Sequence, residues 1–250
     1  MISFIGILIL GFFLGMRHAT DPDHVVAVMT IVTRQRGIAK AGVIGALWGM
    51  GHTLTIFLVG AAIILFKVAI PPRLGLSMEF AVGLMLILLG VLNLTGVLRW
   101  LQQRFTPSLV MPQVQEIESD VAATTSGGNW LERNLRELGL YNALRPLVVG
   151  TVHGLAGSAA VAILVMTTIS DPWWAIAYLL LFGLGTIAGM AVMTTAMAFP
   201  IVYTGRKMFR WNQAMTMGSG VLSVAFGMFI AFQIGVGGGL FTGSPHWTPR

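Results

Sequence analysis

Apolar residues run almost unbroken over stretches of twenty or more positions, separated by short polar punctuation. This is the pattern of helices crossing a hydrocarbon core roughly 30 Å thick, which takes about 20 residues each. Six such stretches are legible, at 2–33, 41–66, 78–98, 146–169, 173–202 and 213–236. The alternating strands of a membrane barrel are not seen. The first stretch is too long for one straight span, because Ile2 to Val32 at 1.5 Å per residue would reach about 46 Å. Pro22 lacks an N–H and disfavours helical geometry at Asp21, so the helix is expected to break at Asp21–Pro22. Asp21 would then cap a second half-helix with Pro22 at its first position. The expected fold is an all-α polytopic membrane protein of about six transmembrane helices.

Composition agrees with this picture. The 250 residues are 56% hydrophobic and only 10% charged, against about 25% charged in soluble domains, and mean hydropathy is +0.82. The lipid bilayer is therefore a partner, and a multi-pass place in the plasma (inner) membrane is expected. The start has no positive segment and no small-residue cleavage site before the first charges, so the first span is expected to stay. The net charge of +6 reports topology and not nucleic-acid binding, because the basic residues cluster by connection. Arg34, Arg36, Lys40, Arg99, Arg104, Arg133, Arg136, Arg145, Arg206, Lys207 and Arg210 fall on one side, against Lys67, Arg73 and Arg250 on the other. The positive-inside rule then puts both termini outside.

The two halves echo each other. Gly15, His18, Val26 and Ala27 recur 135 residues on as Gly150, His153, Val161 and Ala162. Gly49 and Gly51 recur as Gly183 and Gly185, and Gly83 and Gly90 recur 137 residues on as Gly220 and Gly227. Three spans per half is an odd number, so the halves would enter the membrane upside down relative to each other, a recurrent transporter plan. The expected organisation is 1–101 as the first three-helix repeat, 102–142 as an inner linker, and 143–250 as the second repeat and tail. Within the linker Trp130, Leu131, Leu135 and Leu138 recur at the spacing of a short amphipathic surface helix. Small-xxx-small steps at Gly11/Gly15, Gly45/Gly49, Gly150/Gly154 and Gly185/Gly189 suit close helix packing.

Chemistry concentrates in His18-Ala19-Thr20-Asp21-Pro22-Asp23-His24, where two imidazoles and two carboxylates occupy seven positions flanked by membrane-like sequence. Ionisable residues in a membrane span are costly and mark function. Imidazole with carboxylate is the ligand set of a borderline divalent transition metal. The absence of cysteine leaves nitrogen and oxygen as the donors and excludes thiol catalysis and disulfides. An unwound turn at Pro22 would let His18, Asp23 and His24 converge, with Asp21 a further candidate ligand. His52 lies within the second span beside small residues that permit close approach. His153, the repeat mate of His18, is flanked by Ala156, Ser158 and Ala159 where the first half has its acids and second histidine. It reads as a metal-site residue that lines the path or supports the ligands. Arg17 needs a counter-charge, most simply Asp21 or Asp23. Thr53, Thr55, Asn93, Thr151 and Ser158 could contact a hydrated ion or simply join helices.

Arg17-His18-Ala19-Thr20-Asp21-Pro22-Asp23-His24 resembles the H-x4-D-H signature of the nickel/cobalt transporter family, usually written R-H-A-x-D-A-D-H. Gly51-His52-Thr53 resembles that family's second signature, a Gly-His-Ser/Thr step in the following span. The resemblance implies a secondary permease for Ni²⁺ or Co²⁺ with His18, Asp23, His24 and His52 in the binding and selectivity positions, of the shorter six-span branch. Pro22 replaces the usual alanine. Where many members carry Leu-Gly-Phe-Asp-Thr-Ala-Thr-Glu, this chain has Val149-Gly150-Thr151-Val152-His153-Gly154-Leu155-Ala156, without the acids. The expected cargo is thus a divalent transition metal, Ni²⁺ or Co²⁺, with no further cofactor.

Two other functions compete. An intramembrane zinc-dependent hydrolase would use the histidines to hold metal and Asp21 or Asp23 to activate water. However, no H-E-x-x-H occurs, and Gly154-Leu155-Ala156-Gly157-Ser158 does not fit the nucleophile elbow. A metal efflux protein is the other. The long connection Gln102–Asn142 contains no histidine to collect excess metal, which favours uptake. A non-enzymatic permease is the reading that the sequence supports best.

Overall fold

A computed structural model describes residues 4–33, 37–66, 70–97, 143–156, 169, 171–205, 209–242 and 245–247. The described chain is helical: α1 (Phe4–His18), α2 (Pro22–Val32), α3 (Ile38–Phe66), α4 (Pro72–Leu94), α5 (Ala143–Ala156), α6 (Pro172–Gly205) and α7 (Phe209–Phe232). A single π-helical turn, Gln233–Gly237, continues α7. Four of these helices are long and apolar enough to cross a membrane: α3, α4, the Pro172–Tyr203 part of α6, and Gln213–Gly237. Shorter apolar helices are α1, α2 and α5. The linker helix expected near Trp130 and the polar Ser158 lie outside the described residues.

The first apolar stretch is broken where proline requires it. Asp21 is extended, at φ −61° and ψ 145°, and Pro22 opens α2. Ala19 and Asp21 donate their amides to the carbonyls of Gly15 and His18 at 3.2 and 3.1 Å, so the turn consumes the last carbonyls of α1. Val25 donates to the Asp21 carbonyl at 3.0 Å and starts the new helix. The expected side-chain cap is not made. The Asp21 carboxylate turns to His18 instead, and the first turn of α2 is served by Asp23, whose Oδ1 accepts the His24 amide at 3.0 Å.

Helix contacts are built on glycine. α6 packs against both α1 and α3, and α4 packs along α7. Gly15 faces the backbone of Phe182 and Thr186, and Gly185 faces the backbone of Phe12. Gly49 lies on the backbone of Ile187, and Gly150 lies on Trp48 and His52. All four small-xxx-small steps are at helix crossings, with Gly15, Gly49, Gly150 and Gly185 against backbone and Gly11 against the ring of Tyr178. The large apolar residues point the other way. Leu84, Leu88 and Val91 on α4, Leu180 and Leu184 on α6, and Phe229 and Phe232 on α7 are exposed, as a lipid-facing belt requires.

These crossings are reciprocal in the sequence. Gly15 meets Phe182 and Thr186, while Gly150 meets Trp48 and His52, whose positions are 134 less than those of Phe182 and Thr186. Gly83 faces Gly227 and Gly90 faces Gly220, each pair being the other's mates at an offset of 137. Leu86 and Ser223, themselves mates, touch through a hydrogen bond of 2.7 Å from the Ser223 hydroxyl.

Polar residues within the long helices join neighbours. Thr55 Oγ1 reaches the Thr151 carbonyl at 3.1 Å, and Thr53 Oγ1 reaches the Gly183 carbonyl at 3.1 Å. Asn93 Nδ2 donates to the Thr216 carbonyl and to Ser219 Oγ. Gly15→Leu should destabilise the purified protein by about 1–3 kcal/mol, since its side chain must displace the α6 backbone. Leu88→Ala, on the exposed face of α4, should change stability by much less, and thermal unfolding in detergent compares the two.

Candidate metal centre

Three helices deliver one imidazole each to the same place. His18 ends α1, His24 sits in the first turn of α2 and His52 lies midway along α3, where glycines on either side allow the helix to approach. Ring centroids are 4.8 Å apart for His18–His24, 5.2 Å for His18–His52 and 5.0 Å for His24–His52. Each ring can offer a nitrogen such that all three lie within 4.8 Å of one another. His18 Nε2 and His52 Nε2 are 3.1 Å apart. Two nitrogens each about 2.1 Å from one ion, at roughly 90–110° at the metal, stand about 3.0–3.4 Å apart. This spacing suits shared coordination.

Carboxylates set the tautomers. An ionised carboxylate only accepts hydrogen bonds, so a ring nitrogen bonded to one must carry the proton. Asp21 Oδ2 takes the His18 Nδ1–H at 2.7 Å, and Asp23 Oδ1 takes the His24 Nδ1–H at 3.1 Å. In the neutral rings this leaves Nε2 of both histidines with a lone pair. It is the carboxylate–histidine support that orients metal-binding imidazoles and raises their basicity. His24 Nε2 is buried with no protein partner among the described residues. A lone pair so placed is costly unless a ligand uses it.

Asp23 has a second bond. His153 on α5 donates Nε2–H to Asp23 Oδ2 at 2.8 Å and stacks on His24 with centroids 4.3 Å apart. Asp23, His24 and His153 also form a compact ligand group, but both oxygens of Asp23 are already engaged by rings. All six residues singled out in the sequence therefore meet, in two layers: three imidazoles in front, with Asp21, Asp23 and His153 behind. The expected counter-charge for Arg17 is not found. Arg17 is exposed and makes no ion pair among the described residues, because the histidines occupy both aspartates.

The centre lies at the end of a cavity of about 500 Å³ that runs between α2, α4 and the end of α7. Glu79, Val82, Phe226, Ile230 and Gln233 stand along it. The indole of Trp247, in the carboxy-terminal segment, donates to Glu79 Oε1 at 2.9 Å. Trp48 walls the other face, with its ring 5.6 Å from both His24 and His153. Sequence reasoning missed Glu79, Gln233 and Trp48. For Glu79 the signal was present, since it is the single acid in the third apolar stretch.

Over 240 residues, 96% of each chain, this protein is 33% identical to the urease accessory protein UreH of Bacillus sp. (strain TB-90). The chain belongs to the UreH family. A more distant relative, the Chloroplast protein FOR GROWTH AND FERTILITY 2 of Arabidopsis thaliana, is 23% identical over 226 residues, which cover 88% of this chain and 54% of that protein. No protein-family profile and no solved structure matches. UreH is named for an accessory role, and the chain, a membrane protein by its apolar helices, is likewise not an enzyme.

Asp23 is the stabilising centre of this arrangement even without metal. Asp23→Ala orphans ring N–H groups on His24 and His153, both 1% exposed, and should cost at least about 1–3 kcal/mol in metal-free protein. Asp21→Ala removes a half-exposed carboxylate and leaves one ring N–H, on His18, where water can take its place, and should cost under about 1 kcal/mol. Unfolding curves of both variants in chelator give the comparison.

Proposed function

We propose that this protein is a membrane permease for a divalent transition metal, nickel before cobalt, working by alternating access. The observation that carries the reading is the convergence of His18, His24 and His52, each from a different helix, on the wall of one cavity. Three neutral imidazoles suit Ni²⁺, Co²⁺ or Zn²⁺, and they leave coordination positions open, which favours exchange over permanent retention. Asp21 and Asp23 orient the ligands and, with Glu79, make the approach attractive to a cation. His153 holds Asp23 in register from the second half.

Relatedness narrows the cargo. UreH is named as a urease accessory protein, and a membrane protein with an imidazole site suits a part in urease nickel supply. The H-x4-D-H and Gly-His-Thr motifs support membership of the nickel/cobalt transporter family. Nickel also precedes cobalt in intrinsic affinity for nitrogen ligands. The reciprocal glycine crossings support two inverted three-helix halves, 1–101 and 143–250, joined by 102–142. Six spans, both termini outside and uptake across the plasma membrane complete the proposal.

Proteoliposomes containing the chain should accumulate Ni²⁺ or Co²⁺, and His18→Ala, His24→Ala or His52→Ala should each reduce flux at least about tenfold while the protein still inserts. Near-normal flux in all three variants overturns the reading, and turnover of a lipid or peptide without flux favours the hydrolase. Acid should weaken binding. A protonated imidazole cannot ligate metal, so apparent affinity is retained at neutral pH and falls as acid protonates the ligands. Each displaced proton contributes roughly one decade per pH unit. Equilibrium Ni²⁺ titrations measure the slope, and a profile that stays flat from neutral pH down to about pH 4 argues against imidazole ligation.

A further inference from the structure

The cavity wall has a counterpart in the sequence repeat. Glu79, Val82 and Ile230 line the cavity. At the offset of 137 that relates Gly83 to Gly220 and Gly90 to Gly227, the mates of Glu79 and Val82 are Thr216 and Ser219, and the mate of Ile230 is Asn93. These three residues bond to one another. Asn93 Nδ2 donates to the Thr216 carbonyl at 3.1 Å and to Ser219 Oγ at 3.2 Å, and Ser219 Oγ donates to the Thr216 carbonyl at 2.9 Å. The far end of α2 closes the cluster. Thr33 Oγ1 is 3.5 Å from Ser219 Oγ, and Thr30 Oγ1 is 3.5 Å from the Ser219 carbonyl. Asn93, Ser219, Thr30 and Thr33 are each 3% exposed or less.

Such bonds join helices in a membrane, and the same groups leave the seam able to hold water when it parts. Polar groups are needed there if the seam opens to a hydrated ion. The α2 helix touches both places: Pro22, Asp23 and His24 at its start line the open cavity, and Thr30 and Thr33 at its end bind the closed seam. A tilt of α2 against α4 and α7 would therefore close one as it opens the other.

We propose that the Asn93–Thr216–Ser219–Thr33 cluster is the closed gate of a second half-path, through which the divalent cation leaves the histidine site on the side opposite Glu79. The proposal rests on the carrier reading above. The half-paths differ in chemistry as capture and release require. The open one carries a carboxylate at Glu79, whereas its mate Thr216 and the other gate residues are neutral oxygen or amide groups that bind a transition metal weakly. The cation is drawn in on the Glu79 side and is not held on the other.

The chain contains no cysteine, so thiol probes report only where they are placed. In Thr33→Cys/Ser219→Cys the sulfurs replace hydroxyls 3.5 Å apart and should form a disulfide under mild oxidant in metal-free protein. The oxidised protein should bind Ni²⁺ within about twofold of the unsubstituted affinity but lose flux at least about tenfold, and reduction should restore it. Failure to cross-link, or equal flux in both redox states, overturns the gate. Absence of flux in the unsubstituted chain overturns the carrier reading itself, and that arm distinguishes the two failures. Single variants guard against a folding defect in the pair. In detergent Ser219→Cys should react slowly with a hydrophilic maleimide and at least fivefold faster in saturating Ni²⁺, while Ile230→Cys should show the opposite trend. Rapid labelling of Ser219→Cys without metal also overturns the gate.

Discussion

The structure depends on one carboxylate that bridges two imidazoles. Asp23 accepts from His24 beside it in sequence and from His153, 130 positions away on α5. In water each bond would be worth little, but the two rings are almost fully buried and have no alternative solvent. The bridge ties the first half of the chain to the second at the level of the helix break. It also fixes which nitrogen of His24 carries a proton and so which one is free. Removing the break would remove the bridge, because positions 18, 21, 23 and 24 cannot all face one way from an intact helix.

Backbone approach does the rest. His52 reaches the site because Gly51 lets α3 lie on α5, and Gly49 lets it lie on α6. Neither contact has room for a side chain. The energetic logic is that of membranes: apolar side chains gain little by leaving lipid for protein, so close packing and hydrogen bonds between helices must hold the bundle together. The same economy frees the large residues to face outward, and it leaves the polar ones, Thr30, Thr55, Asn93 and Ser219, where helices meet.

Much of this was legible in the sequence, for a physical reason. Proline in an apolar span has few permitted places, so the break at Asp21–Pro22 could be placed to the residue. Histidine and aspartate in such a span are too costly to be incidental, so the six candidates that the structure brings together could be named. Their division of labour could not. Whether Asp23 ligates or orients depends on a hydrogen bond to a helix 130 residues away, and whether Asp21 caps a helix or holds a ring depends on the rotamer that the turn allows. Arg17 was misjudged for the same reason, since the histidines had already taken both of its candidate partners. Glu79 was overlooked because attention went to clusters, although a single acid in an apolar helix is as costly as one in a motif.

The sequence repeat is unequal at the site. His18 has a mate in His153, but the mate of His52 is Thr186, and the residues matching Asp23 and His24 are Ser158 and Ala159. The second half therefore does not supply a matching set of imidazoles, and His153 instead holds the carboxylate behind His24. For the proposed carrier this gives one place for one ion, since a second complete set would be a second place from which the ion had to be released.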